Sequence, residues 1–383
     1  MNISTLMIYM TSACLFFACA SSEEEVQTKE FVSIHKIGYQ VEGRYETLNE
    51  YISFSNSGTT ITFKQYEDVF SISIEDLADD TANTNWLSVI VADTIHSRIQ
   101  LKKGKHVYDV SAPTNKNQLI CFVKTTEAFV GEVKVFGLEM FQPKPTELLH
   151  VKRSMNIQFI GNSITCGYGN MVSIEAPPTG NPLTGFHSEN ENAYLSYAMQ
   201  AARMLDASPT LVSFSGKGMY RNFDSDTIET MPKIYNRIHL QKKTSANWDS
   251  LTVQIPDIIV INLGTNDFFG ESKNIPLNDA VFIKTYIAFV ARLIKLYPTA
   301  KIICANGSMM NDAWPEGKYC WTRMQLALTT VCKHFEDNGD TAIYPFFFTP
   351  QQAPFGEDYH PSLVTHSKMA KELTIFIQTE VIQ

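Results

Sequence analysis

The apolar residues of this chain change their spacing once, near residue 141, and that change limits the available folds more than any other feature. Before it they come in short alternating runs: Thr60-Ile61-Thr62-Phe63, Phe70-Ser71-Ile72-Ser73-Ile74 and Ser88-Val89-Ile90-Val91. A period of two puts every other side chain on one face of a half-buried strand. Turn signals at Asn56-Ser57-Gly58 and Lys103-Gly104 separate the runs, and further strands are expected at His106–Val110, Gln118–Lys124 and Gly131–Leu138. No long helical period interrupts the series, so residues 31–141 are expected to form a small antiparallel β-sandwich, specifically a jelly roll.

Pro143 and Pro145 end this pattern, which makes 141–153 the expected linker. Beyond it, apolar runs at Ile157–Ile160, Thr210–Phe214, Asp257–Leu263, Lys301–Cys304 and Ala342–Phe347 alternate with helical stretches at about 191–206, 226–239, 277–297, 317–336 and 362–379. Alternating β and α elements predict a parallel sheet wrapped by helices on both faces. Residues 171–190, rich in Pro, Gly, Asn and Ser, are longer than an ordinary βα loop and are expected to line a site.

Composition excludes some functions. Hydrophobic residues are 44% of the chain and charged residues 19%, as in a folded globular protein. A net charge of −9 supplies no basic face to neutralise phosphates, so a nucleic-acid partner is not expected. The first twenty residues read as a signal peptide. Leu6 to Phe17 is apolar, too short to span a bilayer, and is soon followed by Ser21-Ser22-Glu23-Glu24-Glu25. Phe17-Ala18-Cys19 resembles a lipoprotein box, while Ala18-Cys19-Ala20 suits ordinary signal cleavage. The expectation is an exported protein: periplasmic, tethered to the outer membrane through an acylated Cys19, or secreted. A polar tether at residues 23–30 follows. The remaining cysteines, Cys121, Cys166, Cys304, Cys320 and Cys332, are odd in number and form no CxxC pair, and no HExxH appears. Neither a disulfide framework nor a metal site is implied.

The chemistry-bearing residues gather where the strands of the second region end. Asn156-Ile157-Gln158-Phe159-Ile160 stops at Gly161-Asn162-Ser163, the next strand at Ser215-Gly216-Lys217-Gly218, and the third at Gly264-Thr265-Asn266-Asp267. Gly356-Glu357-Asp358-Tyr359-His360-Pro361 precedes the last helix. The carboxyl ends of parallel strands are where α/β folds place their sites. A lone Ser after a strand serves equally well as a helix N-cap. With His360 available to take and return a proton near neutrality, Ser163 becomes the candidate nucleophile. Dinucleotide binding is not expected, since Gly161–Gly169 lacks the G-x-G-x-x-G spacing.

Ser, Gly, Asn and His in this order resemble the SGNH or GDSL hydrolase superfamily, whose four blocks are met over residues 157–383. Gly-Asn-Ser-Ile-Thr in place of Gly-Asp-Ser, the run Ser215–Asn222, Leu263–Phe268, and Asp358–Ser362 followed by Thr365–Ala370, all behind a jelly roll, look like carbohydrate esterase family 2. The resemblance implies a flavodoxin-like three-layer α/β/α catalytic domain over 154–383. It implies an acetyl esterase acting on plant polysaccharides or oligosaccharides, with a preference for 6-O-acetyl groups on hexoses, through an acyl-enzyme and without a cofactor. It also implies an oxyanion hole made of the backbone N–H groups of Ser163 and Gly216 and the side-chain amide of Asn266. Gly216 is expected to lack a side chain because its amide approaches the substrate closely.

The superfamily usually carries an acid three residues before the His, which is Glu357 here, whereas Asp358 lies two before. Asp358 is the preferred group for orienting His360, with Glu357 or a backbone carbonyl as alternatives. Asp267 is expected to brace its own turn, His366 to lie on a helix surface and Cys166 to be a packing residue. Trp314, in the Gly307–Gly317 loop, is the candidate sugar-stacking residue, with a partly buried loop aromatic as the other reading. Competing functions are an SGNH lipase-like or peptidoglycan O-acetyl esterase, or a non-catalytic carbohydrate-binding surface lipoprotein. The intact Ser163, Asn266 and His360 count against the last.

Overall fold

A computed structural model describes residues 28–64, 67–112, 118–143, 149–175, 184–248, 254–340 and 342–382. The expected signal peptide with Cys19, part of the linker and the middle of the 171–190 loop lie outside the described residues.

Two antiparallel sheets form the first region. One runs Glu46–Thr47, Ile52–Phe54, Val133–Met140, Val69–Asp76, Gly104–Ser111, with Glu30–Ser33 also pairing Val133–Met140; the other runs Tyr39–Glu42, Thr60–Lys64, Leu119–Lys124, Trp86–Val91, Thr94–Gln100. From Ile52 onward the chain changes sheet at every connection except the hairpin between Trp86–Val91 and Thr94–Gln100, which is the winding of a jelly roll. Alternation explains the core between the sheets: Phe70, Ile72, Ile74, Val89, Phe122, Val133 and Val135 all point inward. Strand Thr94–Gln100 was not expected, because as an edge strand with mostly solvated side chains it carries little apolar signal.

The middle strands of the second sheet are buried on both faces. Val89 and Phe122 enter the sandwich core, whereas their neighbours Ile90 and Val123 enter a different cluster with Tyr197, Met199, Phe348 and Leu373 of the second region. This double burial is why Ser88–Val91, expected as an alternating run, is apolar without a break from Val89 to Val91, and why Ile120–Val123 is likewise nearly continuous.

In the second region the strands Met155–Gly161, Ala207–Ser213, Ile258–Asn262, Lys301–Asn306 and Ile343–Phe347 form an all-parallel sheet in the order second, first, third, fourth, fifth. That is the flavodoxin-like order. Helices Tyr197–Met204 and Leu363–Phe376 cover one face, and Asp279–Leu296 and Cys320–Glu336 the other. Asn278 caps Asp279–Leu296 by accepting from the Val281 N–H at 3.2 Å.

The helix expected at 226–239 is reduced to one turn, Met231–Ile234. Arg44 of the sandwich, itself buried, donates to the carbonyl of Tyr235 and, at 2.9 Å, to that of Arg237, while Asn56 donates to that of Ile238 at 3.0 Å. These ties to the sandwich fix the path of the chain after Ile234. The helix expected from 191 starts only at Tyr197; a separate 3-10 turn, Ala193–Leu195, precedes it, and the Asn192 and Ala193 amides go to Asn170 Oδ1 at 3.1 Å and the Thr125 carbonyl at 2.9 Å.

Candidate active site

The strand Met155–Gly161 lies between Ala207–Ser213 and Ile258–Asn262, so the segments after these three strands meet at one edge with Ser163 in the middle. The chain turns tightly there. A Cβ on Gly161 would stand 2.0 Å from Thr165 Oγ1, so only glycine fits. Asn162 is extended, and its side chain accepts from the Ile164 N–H at 3.1 Å, capping the turn Ser163–Cys166. Asparagine thus does the capping of an aspartate without placing a charge beside Ser163. Ser163 opens the turn, so its own N–H has no intrahelical acceptor.

Ser163 Oγ stands 2.8 Å from His360 Nε2. His360 Nδ1 is 3.0 Å from the carbonyl oxygen of Glu357, which also accepts the His360 backbone N–H at 2.8 Å. A carbonyl only accepts, so Nδ1 carries the ring proton and Nε2 is left with a lone pair facing the serine hydroxyl. His360 is partly buried and closely surrounded, and loss of hydration pulls its pKa down to about 4 against the opposing pull of the Glu357 carbonyl and the Asp358 charge. At neutral pH the ring is therefore a free base.

Neither carboxylate orients His360, which corrects the preference for Asp358. Asp358 has a left-handed backbone, with φ of 48°, and its carboxylate faces away from the ring to accept from Tyr168 Oη at 2.7 Å, Thr184 Oγ1 at 3.1 Å and the Gly185 N–H at 3.0 Å. Partial burial raises the pKa of Asp358, but these three donors outweigh it and hold the acid below its usual range. Glu357 is buried and accepts from the His187 N–H at 3.3 Å, from Asn190 Nδ2 at 2.6 Å and, through His187 Nδ1 at 2.8 Å, from the imidazole. The described end of the 171–190 loop therefore braces the histidine turn. Tyr168, not singled out in the sequence, stacks on His360 with ring centroids 4.2 Å apart while its hydroxyl holds Asp358. Nothing in its spacing marks it, because the stacking partner lies on a distant loop.

On either side of Ser163 stand the other two expected oxyanion donors. Gly216 has φ of +77°, and this conformation rather than crowding demands glycine, since a Cβ there would meet nothing closer than 3.8 Å. Asn266 donates to the Lys217 carbonyl at 2.8 Å, which ties the two loops and leaves the second N–H of its amide for another acceptor. Asp267 takes its own backbone N–H, as expected, but reaches well beyond its own turn. It is fully buried and accepts from the backbone N–H groups of Met219, Tyr220 and Arg221 at 2.8, 2.6 and 2.9 Å, organising the loop that carries Gly216. Burial pushes its pKa up to about 6 in spite of those donors.

His366 is also corrected: it is buried, and its Nδ1 accepts the Tyr197 N–H at 3.0 Å at the start of helix Tyr197–Met204. Trp314 is 58% exposed and lies 6.3 Å from Phe269, which stacks on the exposed Phe223 at 4.3 Å. Phe223, with Gly216, Lys217 and Asn222, lines a polar cleft of about 350 Å³. Glu127, Cys166 and Glu191 bring one ligand atom each within 4.8 Å of one another. Both oxygens of Glu127 already accept hydrogen bonds from Ser215, and the buried Lys124 lies beside the pair, so the cluster reads as a hydrogen-bonded network.

Residues 159–367 match the model of the GDSL-like lipase/acylhydrolase family. The chain is 33% identical over 67% of its length to cellulase/esterase CelE of Acetivibrio thermocellus, and that match spans 29% of CelE. It is 27% identical over 76% of its length to an acetylxylan esterase / glucomannan deacetylase of Cellvibrio japonicus, of which 75% is covered. Among solved structures, a family two carbohydrate esterase from Clostridium thermocellum in complex with cellohexaose superposes with a TM-score of 0.77 at 27% identity, over 90% of this chain and 99% of that one.

Proposed function

This chain belongs to the GDSL-like lipase/acylhydrolase family and so to the carboxylic ester hydrolases, and on that premise we propose that it removes acetyl groups from plant polysaccharides or oligosaccharides. The observation that carries this reading is the 2.8 Å contact of Ser163 Oγ with a histidine whose other nitrogen is tied to a backbone carbonyl. Relatives named as an acetylxylan esterase / glucomannan deacetylase and a neighbour that holds cellohexaose support the substrate class.

In the proposed reaction Ser163 Oγ attacks the acetyl carbonyl as His360 Nε2 takes its proton. The carbonyl oxygen becomes an oxyanion, met by the N–H groups of Ser163 and Gly216 and the amide of Asn266. Collapse breaks the bond to the sugar oxygen, which leaves with the proton from Nε2. Water then attacks the acetyl-serine, His360 taking its proton and returning it to Ser163 Oγ as acetate departs. Phe223, Phe269 and Trp314 offer aromatic faces on which a sugar ring stacks. Export forms part of the same proposal and is supported by the sequence of residues 1–20 alone; the N-terminal mass of the mature protein distinguishes acylation at Cys19 from ordinary cleavage.

The test is acetate release from acetylated xylan, acetylated glucomannan and mono-acetylated sugars, with Ser163→Ala as the blank. Release by the wild type with a loss of at least about 10³-fold in the variant is expected. Activity of Ser163→Ala within tenfold of wild type refutes the assignment.

A further inference from the structure

Glu127 belongs to the sandwich, three residues beyond strand Leu119–Lys124, yet its carboxylate ends in the second region. It is fully buried. One oxygen accepts the Ser215 backbone N–H at 2.7 Å and the other accepts the Ser215 hydroxyl. Ser215 immediately precedes Gly216. Downstream, the Gly216 carbonyl accepts the Phe223 N–H at 2.8 Å, and the Lys217 carbonyl accepts from Asn266. The peptide between Ser215 and Gly216 is thus held from both sides, with Glu127 supplying the upstream hold.

We propose that Glu127 is a positioning residue for the oxyanion hole: it grips both donors of Ser215 and so aims the adjoining Gly216 N–H at the reacting carbonyl. The inference rests on the proposed esterase reading, because Gly216 matters only if an oxyanion forms beside it. A carboxylate suits the task because one side chain must present two acceptors to the two donors of a single residue.

The surroundings account for an acid in so dry a place. Glu191, also fully buried, accepts the Glu127 N–H at 2.9 Å, and Cys166 Sγ lies 3.7 Å from the Glu127 carboxylate. The Lys124 ammonium, buried too, donates to the carbonyls of Thr126 and Glu127 at 2.8 and 3.0 Å. Burial raises the pKa of Glu127 to about 7 and lifts that of Glu191 well above the usual carboxylate range, the Glu127 charge adding to the rise at Glu191. The two Ser215 donors favour the charged form of Glu127, and the Lys124 ammonium favours the charged form of both acids. The same segment reaches the histidine side of the site, since Phe129 packs on Phe186 at 4.7 Å and Phe186 on Tyr168 at 5.2 Å.

The experiment compares the full chain, Glu127→Gln, Ser215→Ala and the double variant, measuring kcat and KM with 4-nitrophenyl acetate and melting temperature in parallel. Glutamine keeps the size and an acceptor for the Ser215 N–H, but it loses the charge that draws both donors, and its NH₂ meets the Ser215 hydroxyl only if that buried hydroxyl reverses to accept. Complete loss of one oxyanion donor costs about 10²–10³ in kcat, so misaiming one is expected to cost about 10- to 100-fold in kcat for Glu127→Gln, with KM within about twofold. Ser215→Ala, which removes only the hydroxyl tie, is expected to lose about 3- to 10-fold in kcat, and the double variant to lose little more than Glu127→Gln. A folded Glu127→Gln with wild-type kcat overturns the proposal, as does additive behaviour in the double variant. Should Glu127→Gln not fold, wild-type kcat in Ser215→Ala overturns it equally. Ser163→Ala, run alongside, separates the two inferences: its failure to abolish turnover refutes the esterase reading itself.

Discussion

Replacing Asp358 with Asn separates this site from a triad. Where a carboxylate holds the catalytic histidine, the same change costs about 10⁴ in kcat, or about 5.5 kcal/mol. Here the Nδ1 proton goes to the Glu357 carbonyl, which the substitution does not touch. The Asn oxygen can still take the two donors now on one Asp358 oxygen, Thr184 Oγ1 and the Gly185 N–H. The new NH₂ then faces the Tyr168 hydroxyl, which rotates to accept instead of donate. What is lost is the charge-assisted part of that bond and a negative charge that favours the imidazolium, together about 1 kcal/mol, or about fivefold in kcat. Acetate release under saturating acetylated substrate, with circular dichroism to establish folding, reads the difference. A loss above about 10³ in folded Asp358→Asn would refute the dyad, because an orientation supplied by main chain alone cannot produce it.

Asn266→Ala should lower kcat by about 10²–10³ while KM moves little, since the amide is proposed to meet charge present only in the transition state; a change confined to KM makes it a ground-state sugar contact. The pH profile of kcat/KM should stay level from neutrality down to about pH 5. Burial disfavours the imidazolium, so the free base persists as pH falls and is lost only through its pKa of about 4; an acid limb near 6.5 shows a hydrated ring. Trp314→Ala should raise KM for acetylated oligosaccharides about 3- to 10-fold, the worth of one aromatic contact, and leave 4-nitrophenyl acetate turnover unchanged; equal losses on both substrates remove Trp314 from sugar binding.

The parallel strands were legible within about three residues because the first four are apolar runs cut off by Gly, Asn or Ser where the sheet ends. The same cut-offs exposed Ser163, Gly216 and Asn266 as neighbours. Partners far apart in the chain were not legible. The turn expected to be helical at 226–239 is claimed by Arg44 and Asn56. His366 lies on a helix face that meets Tyr197, whose N–H it accepts. Asp358 sits at nearly the right spacing for an orienting acid, but spacing says nothing of a left-handed backbone that swings its carboxylate toward Tyr168 and Gly185. Glu127 carries no signal at all, being one acid in a polar turn until Ser215 is seen to meet it.

The double-faced strands Trp86–Val91 and Leu119–Lys124 also bear on how this protein is lost. Ile90 and Val123 share one interior with Tyr197, Met199 and Leu373, so neither region has a complete apolar interior of its own on that side. Separating the two regions would expose both halves of that interior to water, and with them Lys124 and the acids it accompanies. Heating should therefore melt the sandwich and the parallel sheet as one cooperative unit, and a nick that frees the sandwich would silence the esterase without touching Ser163 or His360.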